Sequence, residues 1–211
     1  MVAARTRTRL GNDERRAQLL EVGLELFSTR PYDEVRTDEV AVRAGVSRGL
    51  LYHYFPTKRD FYVDVVRASI ADAYEFSEPD PSLPPLERLR ASVDAWLDYV
   101  EANAAGFLTT YGAGIGTDPE VRAIVEAGEA RQAARIAEQV AGGADVPPTL
   151  EVAVRGWITL LVSTVADWLE QRTLERQLLR DLLVNALVGL ITAAAQADPE
   201  LERVLPPPPA V

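Results

Sequence analysis

The 211-residue chain contains no cysteine and one histidine, His53. The first absence excludes disulfides and thiolate-held metals and fits a reducing compartment. The second leaves too few ligands for a metal site, because no carboxylate stands at Glu-x-x-His spacing before His53. No serine–histidine–acid set can be assembled except around that residue. No metal and no cofactor are expected. The opening residues, MVAARTRTRLGNDERR, lack the apolar core of a signal peptide. The most apolar window, Leu182 to Ala195, is about 14 residues long and includes Asn185, short of the ~20 that span a bilayer. The expectation is a soluble, cytoplasmic protein with no membrane partner. Strand-type alternation and internal repeats are missing too. What is present is 47% apolar residues, enough for a sizeable core.

Basic charge is scarce: 22 Lys and Arg stand against 32 Asp and Glu, a net charge of −10. Taken whole, that balance argues against a nucleic-acid partner. The distribution argues the other way, since residues 1–62 carry a net +2 and residues 63–211 a net −12. Arg5, Arg7, Arg9, Arg15 and Arg16 crowd the start. Such asymmetry suits a polyanion-binding head on a body that repels polyanions, or a solvated arm beside an ordinary acidic domain.

Periodicity predicts helices almost throughout. Asn12 or Asp13 caps a run whose apolar face includes Leu19, Leu26 and Phe27. Thr37 caps a short helix, Asp38 to Ala44, which Gly45 stops; Ser47 caps a second, Arg48 to Tyr54. Thr57-Lys58-Arg59-Asp60 resembles a capping box and opens a longer helix to about Phe76. SEPDPSLPPLE, residues 77–87, reads as a linker. Further helices are expected from Leu86 to about Ala104, around Phe107 to Tyr111, from the capping box Thr117-Asp118-Pro119-Glu120 to Val140, over Thr149 to Gln171, and over Leu174 to Ala197. The fold class is all-α. The expected division is a reader at 1–62, a second helical domain at 63–205, and a proline-rich tail at 206–211.

Residues 37–58 carry the most information. Two short helices joined at a glycine make a helix-turn-helix. Ala41 is small where the helices must approach, and Gly45 permits the left-handed turn. Val40, Val46 and Leu51 face the supporting first helix, and Phe55 falls inward with Leu51. Gly49, Leu50, Tyr52 and His53 lie on the other side. Gly49 allows close approach to DNA, Arg48 reaches guanine or phosphate, and Tyr52 and Tyr54 present hydroxyls to phosphates along the groove. His53 suits a phosphate or base contact. Lys58, at a helix N-terminus, can hold a phosphate with the free backbone N–H groups there.

These residues resemble the N-terminal domain of the tetracycline-repressor (TetR) family of transcriptional regulators. The shared pattern is Thr37, Ala44-Gly45-Val46-Ser47, Gly49, Leu51-Tyr52-His53-Tyr54-Phe55 and Lys58, within a match over about residues 12–66. Asp38 and Glu39 depart from it, since many members have a basic or neutral residue after the threonine. The resemblance implies a homodimer that binds a palindromic operator in double-stranded DNA through Thr37, Ser47, Arg48, Gly49, Leu50, Tyr52, His53, Tyr54 and Lys58. It further implies repression relieved by a small-molecule effector.

One helix-turn-helix covers too few base pairs for a specific site, so a dimer surface is expected. The two last long helices are more apolar than one core face needs. They offer Val154, Ile158, Leu161 and Val165, then Leu182, Ala186, Gly189, Leu190 and Ala193, as an interface like the family's four-helix bundle, or as internal core. Trp96, Tyr99, Asn103, Phe107, Thr110, Tyr111, Trp157 and Thr164 mix aromatic walls with polar handles. That is the composition of a small-molecule pocket, and of an ordinary core. Two rival classes remain: a helical enzyme, for which GAGIG at 112–116 is a weak dinucleotide loop lacking a preceding strand, and an interaction module without DNA binding.

Overall fold

The computed structural model describes residues 11–76, 82–112 and 114–205. Arg5, Arg7, Arg9, two of the four linker prolines (Pro79 and Pro81) and the 206–211 tail lie outside the described residues. All regular structure among the described residues is helical: α1 Asn12–Thr29, α2 Thr37–Arg43, α3 Arg48–Tyr54, α4 Lys58–Phe76, α5 Pro85–Ala102, α6 Ala104–Tyr111, α7 Pro119–Ala141, α8 Pro148–Gln171, α9 Arg176–Ala197 and α10 Pro199–Val204, with 3-10 turns at Tyr32–Glu34 and Gly114–Thr117. The fold is all-α, as expected. GAGIG follows α6 rather than a strand, so it is not the opening turn of a dinucleotide-binding unit.

Caps explain most boundaries. At α4 the capping box is complete: the Thr57 N–H and hydroxyl both donate to the Asp60 carboxylate (3.0 and 2.8 Å), and the Asp60 N–H donates to the Thr57 hydroxyl (3.0 Å). Asp118, not Thr117, caps α7, its carboxylate accepting from the Glu120 and Val121 N–H groups. Neither Asn12 nor Asp13 caps α1. Gly11 holds that position, with the Glu14 carboxylate reaching back to its N–H (2.8 Å). Thr37 is likewise inside α2, and Arg36 occupies the cap. The helix α10 was not expected; Asp198 caps it and Pro199 occupies its first position.

Two cores result. One gathers Leu19, Leu26 and Phe27 of α1, Val40 of α2, Leu51 of α3, Phe55, and Phe61, Tyr62, Val63, Val65 and Val66 of α4, with Val121 and Val125 of α7 packed in. The other joins α5, α7, α8, α9 and α10. The boundary expected at residue 62 therefore falls inside one continuous helix, α4. Where α1 crosses α4, Gly23 lets the backbones approach: a Cβ there would stand 2.5 Å from a Val65 methyl and 2.6 Å from the Phe61 ring. Gly23→Ala should destabilise the chain by about 1–3 kcal/mol through overpacking. Calorimetry should show the melting temperature falling by several degrees; an unchanged value would contradict this account of the crossing.

The helices α8 and α9 pack on each other. Val154, Ile158, Leu161 and Val165, expected at a dimer surface, instead fill the protomer's own core with Leu179, Leu183, Val184 and Leu187. The Trp157 indole N–H donates to the Leu183 carbonyl (2.8 Å) across this contact. Both helices are apolar around most of their circumference, so periodicity does not reveal which face turns inward. The remaining expected interface residues behave differently: Leu182, Gly189, Leu190 and Ala193 are exposed and Ala186 is half-buried. By length and composition, α8 and α9 are each long and apolar enough to cross a membrane, which the shorter window did not show. Here their inner faces form the packed core of a helical domain.

Candidate nucleic-acid interface and adjoining cavity

The turn between α2 and α3 is built on Gly45, whose φ of +65° is the left-handed conformation glycine tolerates. The Val46 N–H closes it onto the Ala41 carbonyl (2.9 Å). The Ser47 hydroxyl accepts from the Leu50 N–H (3.2 Å) and caps α3. Leu51 and Phe55 anchor α3 from below, Phe55 meeting Phe61 of α4 edge-on at 4.9 Å. Arg16 lies over the Phe55 ring at 5.3 Å and pairs with Asp64 (2.6 Å), which fastens α1 to α4.

The outer face presents Ser47, Arg48, Gly49 and His53 as exposed residues, with Leu50, Tyr52, Tyr54 and Lys58 partly covered. Several are already engaged. The Tyr52 and Thr37 hydroxyls share a hydrogen bond (3.0 Å), which ties α3 to the first residue of α2. Arg48 lies over the Tyr52 ring at 5.4 Å and stands 3.2 Å from Asp38. Hydrogen bonding to Thr37, and then to Arg48, pulls the Tyr52 pKa below the usual tyrosine range. Thr37, Arg48 and Tyr52 thus form one cluster, and Asp38 holds its cation. His53 and Tyr54 meet edge-on at 5.5 Å. The Lys58 ammonium sits over the Tyr32 ring (4.3 Å) beside the Asp33 carbonyl (3.5 Å), and burial lowers its pKa. Sequence reasoning found the exposed residues but missed Tyr32 and Asp33, which position Lys58 across a turn. The Pro31 just before them was the available signal.

Behind this unit lies a cavity of about 550 Å³. Trp96, Tyr99, Asn103, Phe107, Thr110, Tyr111 and Trp157 all line it, with Tyr62, Val65, Ser69 and Ile70 of α4 and Glu129 and Gln132 of α7. Thr164 does not line it: it shares a face of α8 with the lining residue Trp157 but stands about 10 Å farther along the helix. Most polar handles are paired within the protein. Tyr99 bonds to the Ser69 hydroxyl (3.1 Å) and carbonyl (3.0 Å), Asn103 donates to the Tyr99 carbonyl (2.7 Å), and Tyr62 pairs with Thr110 (3.2 Å). No group of three or more metal-ligating side chains forms among the described residues.

An ion cluster joins the first turns of α4 and α7. Arg59 donates to both Asp118 carboxylate oxygens (2.7 and 2.6 Å) and to Glu120 (3.1 Å). Its guanidinium holds the Asp118 pKa down at about 2.

Comparison with known proteins accounts for this arrangement. A family model for bacterial regulatory proteins of the tetR family matches residues 19–65, and one for a tetracyclin repressor-like C-terminal domain matches residues 85–190. The chain is 34% identical over 120 residues to the HTH-type transcriptional activator FasR of Mycolicibacterium smegmatis, a match covering 56% of this chain and 55% of that protein. It is 35% identical over 77 residues to the HTH-type transcriptional repressor KstR of Rhodococcus jostii, covering 36% of each. The chain thus spans about half the length, or less, of these curated relatives. A tetR-family transcriptional regulator from Streptomyces coelicolor superimposes with a TM-score of 0.81 at 32% identity, covering 92% of this chain and 88% of that one. These relatives are regulators rather than enzymes, and the chain belongs to the TetR family of DNA-binding transcriptional regulators.

Proposed function

We propose that the protein is a cytoplasmic homodimeric repressor that holds a palindromic operator through α3 and lets go when a small, largely apolar ligand fills the cavity. The observation that carries this reading is that one helix serves both ends. The first turn of α4 holds Lys58 and Arg59 beside the DNA-facing unit, and further along the same helix Tyr62, Val65, Ser69 and Ile70 line the cavity. A ligand that displaces α4 shifts the separation of two recognition helices from the ~34–36 Å between successive major-groove faces. A ligand that prefers the shifted state weakens operator binding by its differential affinity, typically about 1–3 kcal/mol of coupling. Repression is taken from the family's common mode; FasR is named an activator and KstR a repressor. The functional division then falls within α4, near residue 62, and the expected DNA contacts, Ser47, Arg48, Gly49, Leu50, His53 and Tyr54 with the Thr37–Tyr52 pair and Lys58, stay on one surface.

The test is fluorescence anisotropy with labelled DNA from the protein's own promoter region, at 50 and 200 mM salt. Phosphate-dominated binding should weaken steeply with salt. Tyr52→Ala removes both the phosphate-facing hydroxyl and the tie to Thr37, and should cost at least ~10-fold in affinity. Asp38→Asn should act in the opposite direction. It frees Arg48 and removes a negative charge near the DNA, raising affinity about 3–10-fold in a salt-sensitive way. Salt-independent binding, or an Asp38→Asn protein that binds more weakly, would contradict the proposed contacts.

A further inference from the structure

Glu129 is a half-buried acid of α7. It projects from α7 into the main cavity and also borders a small cleft lined by Thr159, Ser163 and Asp167 of α8. Its carboxylate accepts a hydrogen bond from the Tyr111 hydroxyl, and the charged neighbour acting on it is Glu126, of the same sign. No ion pair to Glu129 forms among the described residues. An aromatic wall leads up to it: the Tyr111 ring lies 4.7 Å from Phe107, which meets Trp96 edge-on at 6.0 Å. Burial pushes the carboxyl pKa up, as expected for a charge without a counter-ion in apolar surroundings. A half-buried carboxylate beside aromatic faces offers two attractions to a cation, Coulombic and quadrupolar, and both strengthen once water is displaced. The same arrangement repels an anion.

We propose that the cavity takes a ligand with an apolar body and a positively charged amine or quaternary ammonium, the charge seated between Glu129 and the Trp96–Phe107–Tyr111 wall. This rests on the reading of the cavity as the effector site. Arg135 lies six residues and ~9 Å farther along α7, and Arg88 sits in the first turns of α5. Both bring positive charge to other parts of the lining, so an anionic head is the competing choice, and the experiment sets the two against each other.

Ten-carbon probes below their micelle concentrations, namely decyltrimethylammonium, decanoate and decanol, are titrated against the full chain, with binding read from tryptophan fluorescence, since Trp96 and Trp157 line the cavity. Wild type should bind the ammonium at least ~10-fold more tightly than decanoate. Glu129→Gln keeps the shape and a hydrogen-bond acceptor for Tyr111, and should bring that ratio to within about threefold of unity while leaving decanol affinity unchanged. Unchanged decanol binding shows that the variant cavity is intact. Decanoate binding wild type as tightly as the ammonium would overturn the inference, and so would a preference that survives in Glu129→Gln. Decanol binding without ammonium binding would overturn it and leave the effector-cavity reading standing. If none of the three binds, the cavity reading fails and this inference fails with it.

Discussion

Replacing both Leu178 and Leu182 with arginine is expected to leave a folded monomer whose operator affinity is lower by two orders of magnitude or more. The two leucines are 57% and 50% exposed, so arginine at either position meets solvent rather than core. The inner face of α9, made of Leu179, Leu183, Val184 and Leu187, is untouched. With Ala186, Gly189 and Ala193 the two leucines fall within an arc of about 80° on the outer face of α9. On α8, Gly156 and Leu160 are exposed as well. A Cβ on Gly156 or Gly189 would meet only open space, so small residues mark both outer faces and leave room for a second pair of helices to pack closely. In the proposed homodimer, a two-fold packing of α8 and α9 against their copies would bury this apolar stripe. Two arginines on each side would face one another across that axis, uncompensated. A monomer then reads a single half-site and loses the advantage of the second, linked contact. Analytical ultracentrifugation alongside operator titration decides the matter. A double variant that sediments as a dimer, or a monomer that binds as tightly as wild type, removes α8 and α9 as the interface.

That face also shows what was legible in the sequence and what was not. The reader was legible because each of its residues answers a local requirement. Gly45 meets a positive φ, Ser47 a cap, Ala41 a close crossing, and Leu51 and Phe55 a buried side three to four residues apart, so spacing alone placed them. The ends of α8 and α9 were legible to within two residues for the same reason. Their faces were not. Val154 and Leu182 look alike in a run that is apolar all round, and only tertiary packing puts one at the centre of the protomer and the other in solvent. Pocket residues were found where aromatics cluster on α5 and α6. Thr164 shares its helix face with Trp157, and the sequence does not specify how far along α8 the cavity extends. Glu129 was overlooked because an acid on a helix with many exposed charges reads as solvated surface, and only the packing of α6 and α8 around α7 turns it toward the cavity. Contacts between distant segments were the least visible. Nothing near Arg59 in the sequence points to Asp118.

The second large effect concerns that pair. Arg59→Ala should leave operator binding within a few-fold of wild type but reduce the effector-driven change in affinity from the 5–150-fold typical of such coupling to about twofold or less. Arg59 lies one residue after Lys58 and three before Tyr62, so the clamp fixes α4 between the DNA-facing unit and the cavity. Tyr62 continues the connection through its hydrogen bond to Thr110 of α6. Because Asp118 caps α7 while it binds Arg59, any displacement of α4 must carry the start of α7 with it or break a bidentate pair. Without the clamp, α4 can move at the cavity end while the recognition helices keep their spacing. Asp118→Asn tests the electrostatic part separately, since the amide still caps α7 but no longer carries a charge. The pH dependence follows from the sign of the shift. A carboxylate at about 2 when folded, against 3.8 in its ordinary setting, contributes its stabilisation in full above the ordinary value and loses it as pH falls through the folded one. Wild type should therefore lose its melting-temperature advantage over Asp118→Asn between about pH 4 and pH 2. From pH 5 to 8 the difference should stay flat. A gap that changes across neutral pH would contradict the ionised Asp118–Arg59 pair, and an Arg59→Ala protein whose operator affinity still answers fully to the effector would show that the coupling between cavity and reader bypasses this clamp.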